Sequence, residues 1–303
     1  MSTSAGAVPA ATWRDWLVLT KPKVVALLLF TALGAMFGAA RGLPEGRLLA
    51  GVLVGGYLYA GAGVFNMILD RDLDGQMKRT ARRPLVTGSI TPRQATLFGA
   101  TLSAGALVIL ALTTNPLTAL IGLAGLLYYV LVYTLWLKRR TWHNIVIGGA
   151  AGAVPPLLGR AAVTGELSGL AWALFVLIFM WTPVHFWSLA FLVQEQYAAA
   201  GVPMAPAVLG TQGTLRQMLL YTVLTILSSL IPPALQEVGR LYAVAVAALN
   251  LLLLWKMLQL YRKAGPAQAV ERQDALSLYK FSMLYLALVF LALVLDRSLP
   301  FPS

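Results

Sequence analysis

The sequence predicts an all-α integral membrane protein of about nine transmembrane helices. Of its 303 residues, 59% are hydrophobic and only 11% are charged. Soluble domains carry about a quarter charged residues. Mean hydropathy is +0.76, and the apolar residues fall in runs near the roughly 20 residues that a helix needs to cross a bilayer.

Residues Met1–Ala11 are rich in Ala, Gly, Ser and Pro and hold no lysine or arginine, so no cleavable signal pattern is present. Positions 1–18 read as a flexible or interfacial segment, with Trp13 and Trp16 at headgroup depth beside Arg14 and Asp15. Nine apolar spans follow: Val24–Ala40, Leu48–Leu69, Ala95–Thr113, Leu117–Leu137, Ile145–Val163, Leu170–Val193, Gln217–Leu235, Leu241–Leu260 and Phe281–Leu295. The turn Thr113–Pro116 separates the third and fourth. The fifth is Gly-rich and interrupted by Pro155 and Pro156. The whole chain, 1–303, reads as a single membrane-embedded domain.

The short loops orient the chain by their basic residues. One side holds Arg14, Lys21, Lys23, Arg71, Lys78, Arg79, Arg82, Arg83, Arg93, Lys138, Arg139, Arg140, Arg216, Arg262, Lys263, Arg272 and Lys280. The other holds only Arg41, Arg47, Arg160, Arg240 and Arg297, and Lys256 lies within the eighth span. The first side is placed in the cytoplasm, in a cell or inner membrane, with the N-terminus inside. A net charge of +12 is thereby explained by topology and needs no nucleic acid. Without cysteine, disulfides, thiolate metal sites and cysteine nucleophiles are excluded. Two histidines are too few for a multi-His metal site.

The loops that carry chemistry all lie on the cytoplasmic side, which suits an enzyme better than a carrier with working features at the midplane. The sharpest pattern is Asn66-Met-Ile-Leu-Asp70-Arg-Asp72-Leu-Asp74. Steps of four residues drift only about 40° around a helix, so Asn66, Asp70 and Asp74 share one face. Acids at a helix C-terminus oppose the macrodipole, and clustered charge at a membrane boundary is costly. Solvated surface acids are the plainer alternative. Oxygen ligands without His or Cys suit a hard cation, and magnesium commonly joins one or two carboxylates to phosphate oxygens. Lys78, Arg79, Arg82 and Arg83 follow directly, placed to pair with phosphate. Positive-inside topology accounts for each of these cations as well. Together, the acids and the cations fit a magnesium–diphosphate site.

At these residues the chain resembles the UbiA-type intramembrane prenyltransferases, whose first motif Asn66, Asp70 and Asp74 match. Within them it is similar to the protoheme IX farnesyltransferase (heme O synthase) branch. The stretches that carry this are Leu19-Thr-Lys-Pro-Lys23, Met77-Lys-Arg-Thr-Ala-Arg-Arg-Pro84, Tyr133-Thr-Leu-Trp-Leu-Lys-Arg139, Asn144 to Pro156, Trp181-Thr-Pro-Val-His-Phe-Trp187 and Tyr197 to Met204. The resemblance implies a nine-helix bundle around a central cavity. It also implies farnesyl diphosphate as donor, heme b as acceptor, and a heme-A-forming enzyme downstream. Asp70 and Asp74 would hold Mg2+ on the diphosphate with help from Asn66. Lys138 and Arg139 would receive diphosphate or heme propionates, although topology explains them equally.

At the end of the sixth span the chain reads Gln194-Glu195-Gln196-Tyr197, where the resemblance implies Lys-Asp-Asp-Tyr. Glu195 is therefore the one carboxylate there for a second metal, beside Tyr197 on the acceptor side. His185 stands two residues after Pro183, which is expected to break the helix and open a polar pocket. There it would meet heme iron, a propionate or the diphosphate; a hydrogen-bonded interfacial histidine is the alternative. His143, beside Trp142, is read as interfacial.

Overall fold

The structure is a computed structural model that describes residues 10–264 and 270–299. Within them α1 (Trp13–Leu19) is a short lead-in helix, followed by α2 (Pro22–Ala40) and α3 (Gly46–Leu69, in two successive pieces). The loop beyond holds α4 (Arg71–Gln76) and α5 (Pro84–Thr87). Then come α6 (Pro92–Thr113), α7 (Pro116–Leu137), α8 (Asn144–Thr164) and α9 (Gly169–Leu192). A second loop carries α10 (Gln194–Ala199) and α11 (Ala205–Val208). The last spans are α12 (Gly210–Ala234), α13 (Arg240–Lys263) and α14 (Arg272–Ser298). Nine of these are long and apolar enough to cross a membrane among the described residues, so the chain is a multi-pass membrane protein.

Each expected span is present, and most are longer than their apolar runs because local capping sets the ends. Thr91 and Gln94 form a reciprocal capping box before Pro92, with the Thr91 amide 2.9 Å from Gln94 Oε1. Asn115 Oδ1 accepts the Thr118 amide at 2.9 Å before Pro116. Proline at the first helical position lacks the N–H that would otherwise go unsatisfied. The seventh span starts at Gly210, seven residues before the expected Gln217, and the ninth runs Arg272–Ser298. Their polar first turns stay helical outside the apolar core. Residues 1–9 of the expected N-terminal segment lie outside the described residues. Of its tryptophans, Trp13 is exposed and Trp16 packs edge-on against Phe98 at 5.0 Å.

Spans adjacent in sequence are adjacent in space, and α14 returns to α2, closing a ring. Spans not adjacent in sequence also meet, most extensively α2 against α8 and α9 against α14, and α3 touches α7. The fifth span is built of three short pieces, Asn144–Gly148, Ala150–Ala153 and Pro155–Thr164. The last of these sits so close to α2 that a Cβ at Gly159 would collide with the Ala32 carbonyl. Gly159→Ala is therefore expected to lower the thermal unfolding midpoint in detergent, at a cost of about 1–3 kcal/mol. An unchanged midpoint would mean that these helices are not held at this distance.

The fourth span changes register partway. From Tyr128 to Leu137 it is a π-helix, a wide turn frequently found at functional sites. That segment ends at the boundary where α3 delivers its acids.

Candidate active site

Asn66 and Asp70 close α3, and Asp74 lies on α4. A kink at Asp70 (φ −95°, ψ 6°) does not break the ladder. The Asp70 amide donates to Asn66 O at 2.9 Å and the Asp74 amide to Asp70 O at 2.8 Å. All three side chains are buried, at 3%, 1% and 4% exposure. They are therefore not solvated surface acids. Asp72, between them in sequence, faces out and is exposed.

Three cations pair with the acids and a fourth, Lys21, meets Asn66. Lys138 Nζ is 2.5 Å from Asp70 Oδ2, and Arg83 Nη1 is 2.5 Å from Asp74 Oδ2. Lys21 Nζ donates to Asn66 Oδ1 at 2.5 Å and lies 5.9 Å from the Tyr129 ring centre. Arg139 holds Asp72 in a two-pronged pair at 2.7 and 2.6 Å and donates to Leu69 O at 2.8 Å. The Asp72 carboxyl is held below the usual carboxylate range chiefly by that hydrogen bond. Arg139 thus ties the end of α7 to the end of α3 outside the acidic face, while Lys138 enters it.

Around Asp70 and Asp74 the charges do not balance, since Lys21, Lys138 and Arg83 face two carboxylates. The crowding registers on Lys21, whose ammonium is pushed down to about 7 by burial first and then by Arg83 and Lys138. A site with surplus positive charge invites an anion. One acceptor is also left over: among the described residues, Asp70 Oδ1 is buried without a hydrogen-bond partner. An orphaned carboxylate oxygen is expensive to keep. Beside a second carboxylate and an amide oxygen it is a hard-oxygen donor set that fits magnesium.

The other expected residues divide. Arg79 lies against Tyr197, and its amide donates to Gln196 Oε1 at 3.3 Å. Gln196, one of the glutamines that depart from the expected motif, therefore ties the second loop to the first. Tyr197 is buried, and burial raises its phenol while Arg79 pulls the other way. Lys78, Arg79 and Arg82 are all exposed.

Glu195 is exposed on α10 and, among the described residues, makes no hydrogen bond or ion pair. Among those residues no three His, Cys, Asp or Glu side chains gather to hold a metal. The second loop thus turns Tyr197 inward and Glu195 to solvent. Pro183 does not break its helix, since α9 continues from Gly169 to Leu192. His185 is stacked between Trp181 (4.4 Å) and Tyr279 (4.8 Å), with Nδ1 2.9 Å from Ser282 Oγ. Those contacts join α9 to α14. His143 is exposed and stacked on Trp142 at 3.7 Å, as an interfacial residue would be.

Sequence reasoning missed Lys21 as a site residue. Its role as a topological charge concealed it, and the residue sits in left-handed backbone (φ 50°) directly before Pro22. A non-glycine residue in that region marks a place where the surroundings impose the conformation. Thr134 was also missed. Its hydroxyl is 3.1 Å from Asn66 Nδ2.

The model of the UbiA prenyltransferase family matches residues 28–284. The chain belongs to that family. Among its relatives is the "Protoheme IX farnesyltransferase" of Deinococcus radiodurans, 51% identical over 305 residues, covering 98% of this chain and 97% of that one. The protein of the same name from Thermus thermophilus is 56% identical over 289 residues, 95% of this chain and 46% of that one. This chain therefore spans about half the length of the Thermus relative. Solved structures show the same fold. A digeranylgeranylglyceryl phosphate synthase superposes with a TM-score of 0.77 at 21% identity, covering 94% of this chain and 98% of that one. A UbiA homolog from Archaeoglobus fulgidus bound to GPP and Mg2+ superposes with 0.67 at 20% identity, covering 92% and 99%.

Proposed function

We propose that this family member transfers a farnesyl group from farnesyl diphosphate to a vinyl group of heme b, giving heme O and diphosphate. The observation that carries the reading is near full-length identity of 51% with a Deinococcus protein of that name. The buried acid–cation cluster at the end of α3 supports it.

Asp70 and Asp74, with Asn66, would hold Mg2+, which supplies charge neutralisation for the diphosphate. Lys21, Lys138 and Arg83 bind the diphosphate and stabilise the charge that develops as the C1–O bond breaks. Arg79, beside Tyr197 and tied through its amide to Gln196, would extend that cation set. The allylic cation is captured by the terminal vinyl carbon of heme. Water then adds as hydroxyl at the neighbouring carbon and releases one proton. An apolar lining, as the family resemblance implies, would keep water from the cation until capture. The basic loops support an orientation with this site facing the cytoplasm. A heme-A-forming enzyme would then take the product.

The test is turnover by the purified chain in lipid with heme b, farnesyl diphosphate and magnesium, read by mass spectrometry. Heme plus one farnesyl unit plus one water is expected, and a chelator should abolish it. Product formed equally well with chelator would remove magnesium from the reading. Farnesyl transfer only to an acceptor other than heme would overturn the substrate.

A further inference from the structure

The hydroxyl of Thr134 touches two groups, the Tyr129 carbonyl at 2.8 Å and Asn66 Nδ2 at 3.1 Å. An amide NH2 only donates, so the hydroxyl accepts from Asn66 and spends its one proton on Tyr129. The chemistry of the partners also fixes which end of the Asn66 amide is which. Lys21 Nζ has only protons to give, so Oδ1 faces it at 2.5 Å. Asp70 Oδ2 only accepts, so Nδ2 faces it at 2.7 Å. That Asp70 oxygen is shared with Lys138. Thr134 is the second, uncharged acceptor for the same NH2, and it does not depend on what Asp70 binds.

The π-helix puts Thr134 there. Thr96, Thr182 and Thr222, in α-helical turns, each bond the carbonyl four residues back. Thr134 reaches five back, and so does the Lys138 amide, which donates to Tyr133 O at 2.9 Å. The wider turn presents Thr134 and Lys138 together to the end of α3, one to Asn66 and one to Asp70.

We infer that Thr134 is a positioning residue that holds the Asn66 amide with its carbonyl oxygen turned into the cation-lined site. This rests on the magnesium–diphosphate reading above. Removing the hydroxyl would leave Asp70 Oδ2 as the acceptor for the NH2 group, and once a metal draws on that carboxylate the amide could turn and offer N–H where an oxygen ligand is needed.

The probe is Mn2+ in place of magnesium, bound to the full chain in nanodiscs with farnesyl thiolodiphosphate, an unreactive analogue, and followed by electron paramagnetic resonance. Thr134→Val keeps shape and removes the hydroxyl. It is expected to weaken Mn2+ binding about 10–100-fold, the usual effect of losing an outer partner of a metal ligand. Thr134→Ser should restore most of the binding, which also shows that the loss is not one of folding. In an Asn66→Ala background, Thr134→Val should have no further effect. Parent-like Mn2+ binding by Thr134→Val, or an equal further loss in the Asn66→Ala background, overturns the inference and leaves the acidic site intact. Parent-like binding by Asp70→Asn, or no analogue-dependent Mn2+ binding by the parent, overturns the site reading itself and this inference with it.

Discussion

Asp70→Ala is expected to reduce farnesyl transfer by about 1,000-fold or more, beyond the 10²–10³ seen on removing a single stabilising donor from a reaction centre. Asp70 contributes more than one interaction. One carboxylate oxygen accepts from both Asn66 and Lys138, and the other is buried and unclaimed among the described residues. Alanine therefore removes a metal ligand and leaves Lys138 without its partner. Breaking such a pair from one side costs about 3–5 kcal/mol of stability, so lost activity alone would not separate chemistry from folding. The double variant Asp70→Asn/Lys138→Met separates them. With both charges gone, the thermal midpoint should return close to that of the parent, while transfer stays abolished. Transfer recovered along with stability would show that Asp70 serves only to neutralise Lys138. The same logic covers Asp74 and Arg83, where the pair is also mostly buried.

The fold was legible because apolar length is a direct record of the bilayer. All nine spans were found from that signal, and their ends were not. Hydropathy stops where the lipid stops, whereas helices stop at caps such as Thr91/Gln94 and Asn115. In the site, Asn66, Asp70 and Asp74 were legible because one helix carries them at a spacing that a 3.6-residue period converts into a face. Lys21 and Thr134 arrive from other spans, so no local spacing announces them. Thr134 also depends on a π register that a 3.6-residue period does not encode. The sequence treated Lys138 and Arg139 alike. One residue of rotation separates them, sending Lys138 to buried Asp70 and Arg139 to exposed Asp72. Pro183 misled because a helix packed on both sides can absorb a lost backbone bond. His185 kept two readings in the sequence because its ring partners Tyr279 and Ser282 arrive from another span.

Lys21→Met should lower farnesyl transfer about 100–1,000-fold, the range for losing one preorganised donor to developing charge, without lowering stability. The combination is the informative part. Methionine is close to lysine in length and fills the same space without the ammonium. Were Lys21 a structural clamp on Asn66, its removal would free the amide and destabilise the bundle. Its electrostatic surroundings point the other way. Burial first, then Arg83 and Lys138, push its ammonium down to about 7, against the smaller pull of Asp70 and Asp74. A cation held against its neighbours, on left-handed backbone before a proline, is kept at a cost. The diphosphate is the anion that would offset it. Thermal unfolding without substrate should therefore show Lys21→Met at least as stable as the parent, and stabilisation by added diphosphate should shrink. Unchanged turnover would remove Lys21 from the site. A lower midpoint with unchanged diphosphate stabilisation would return it to a structural role.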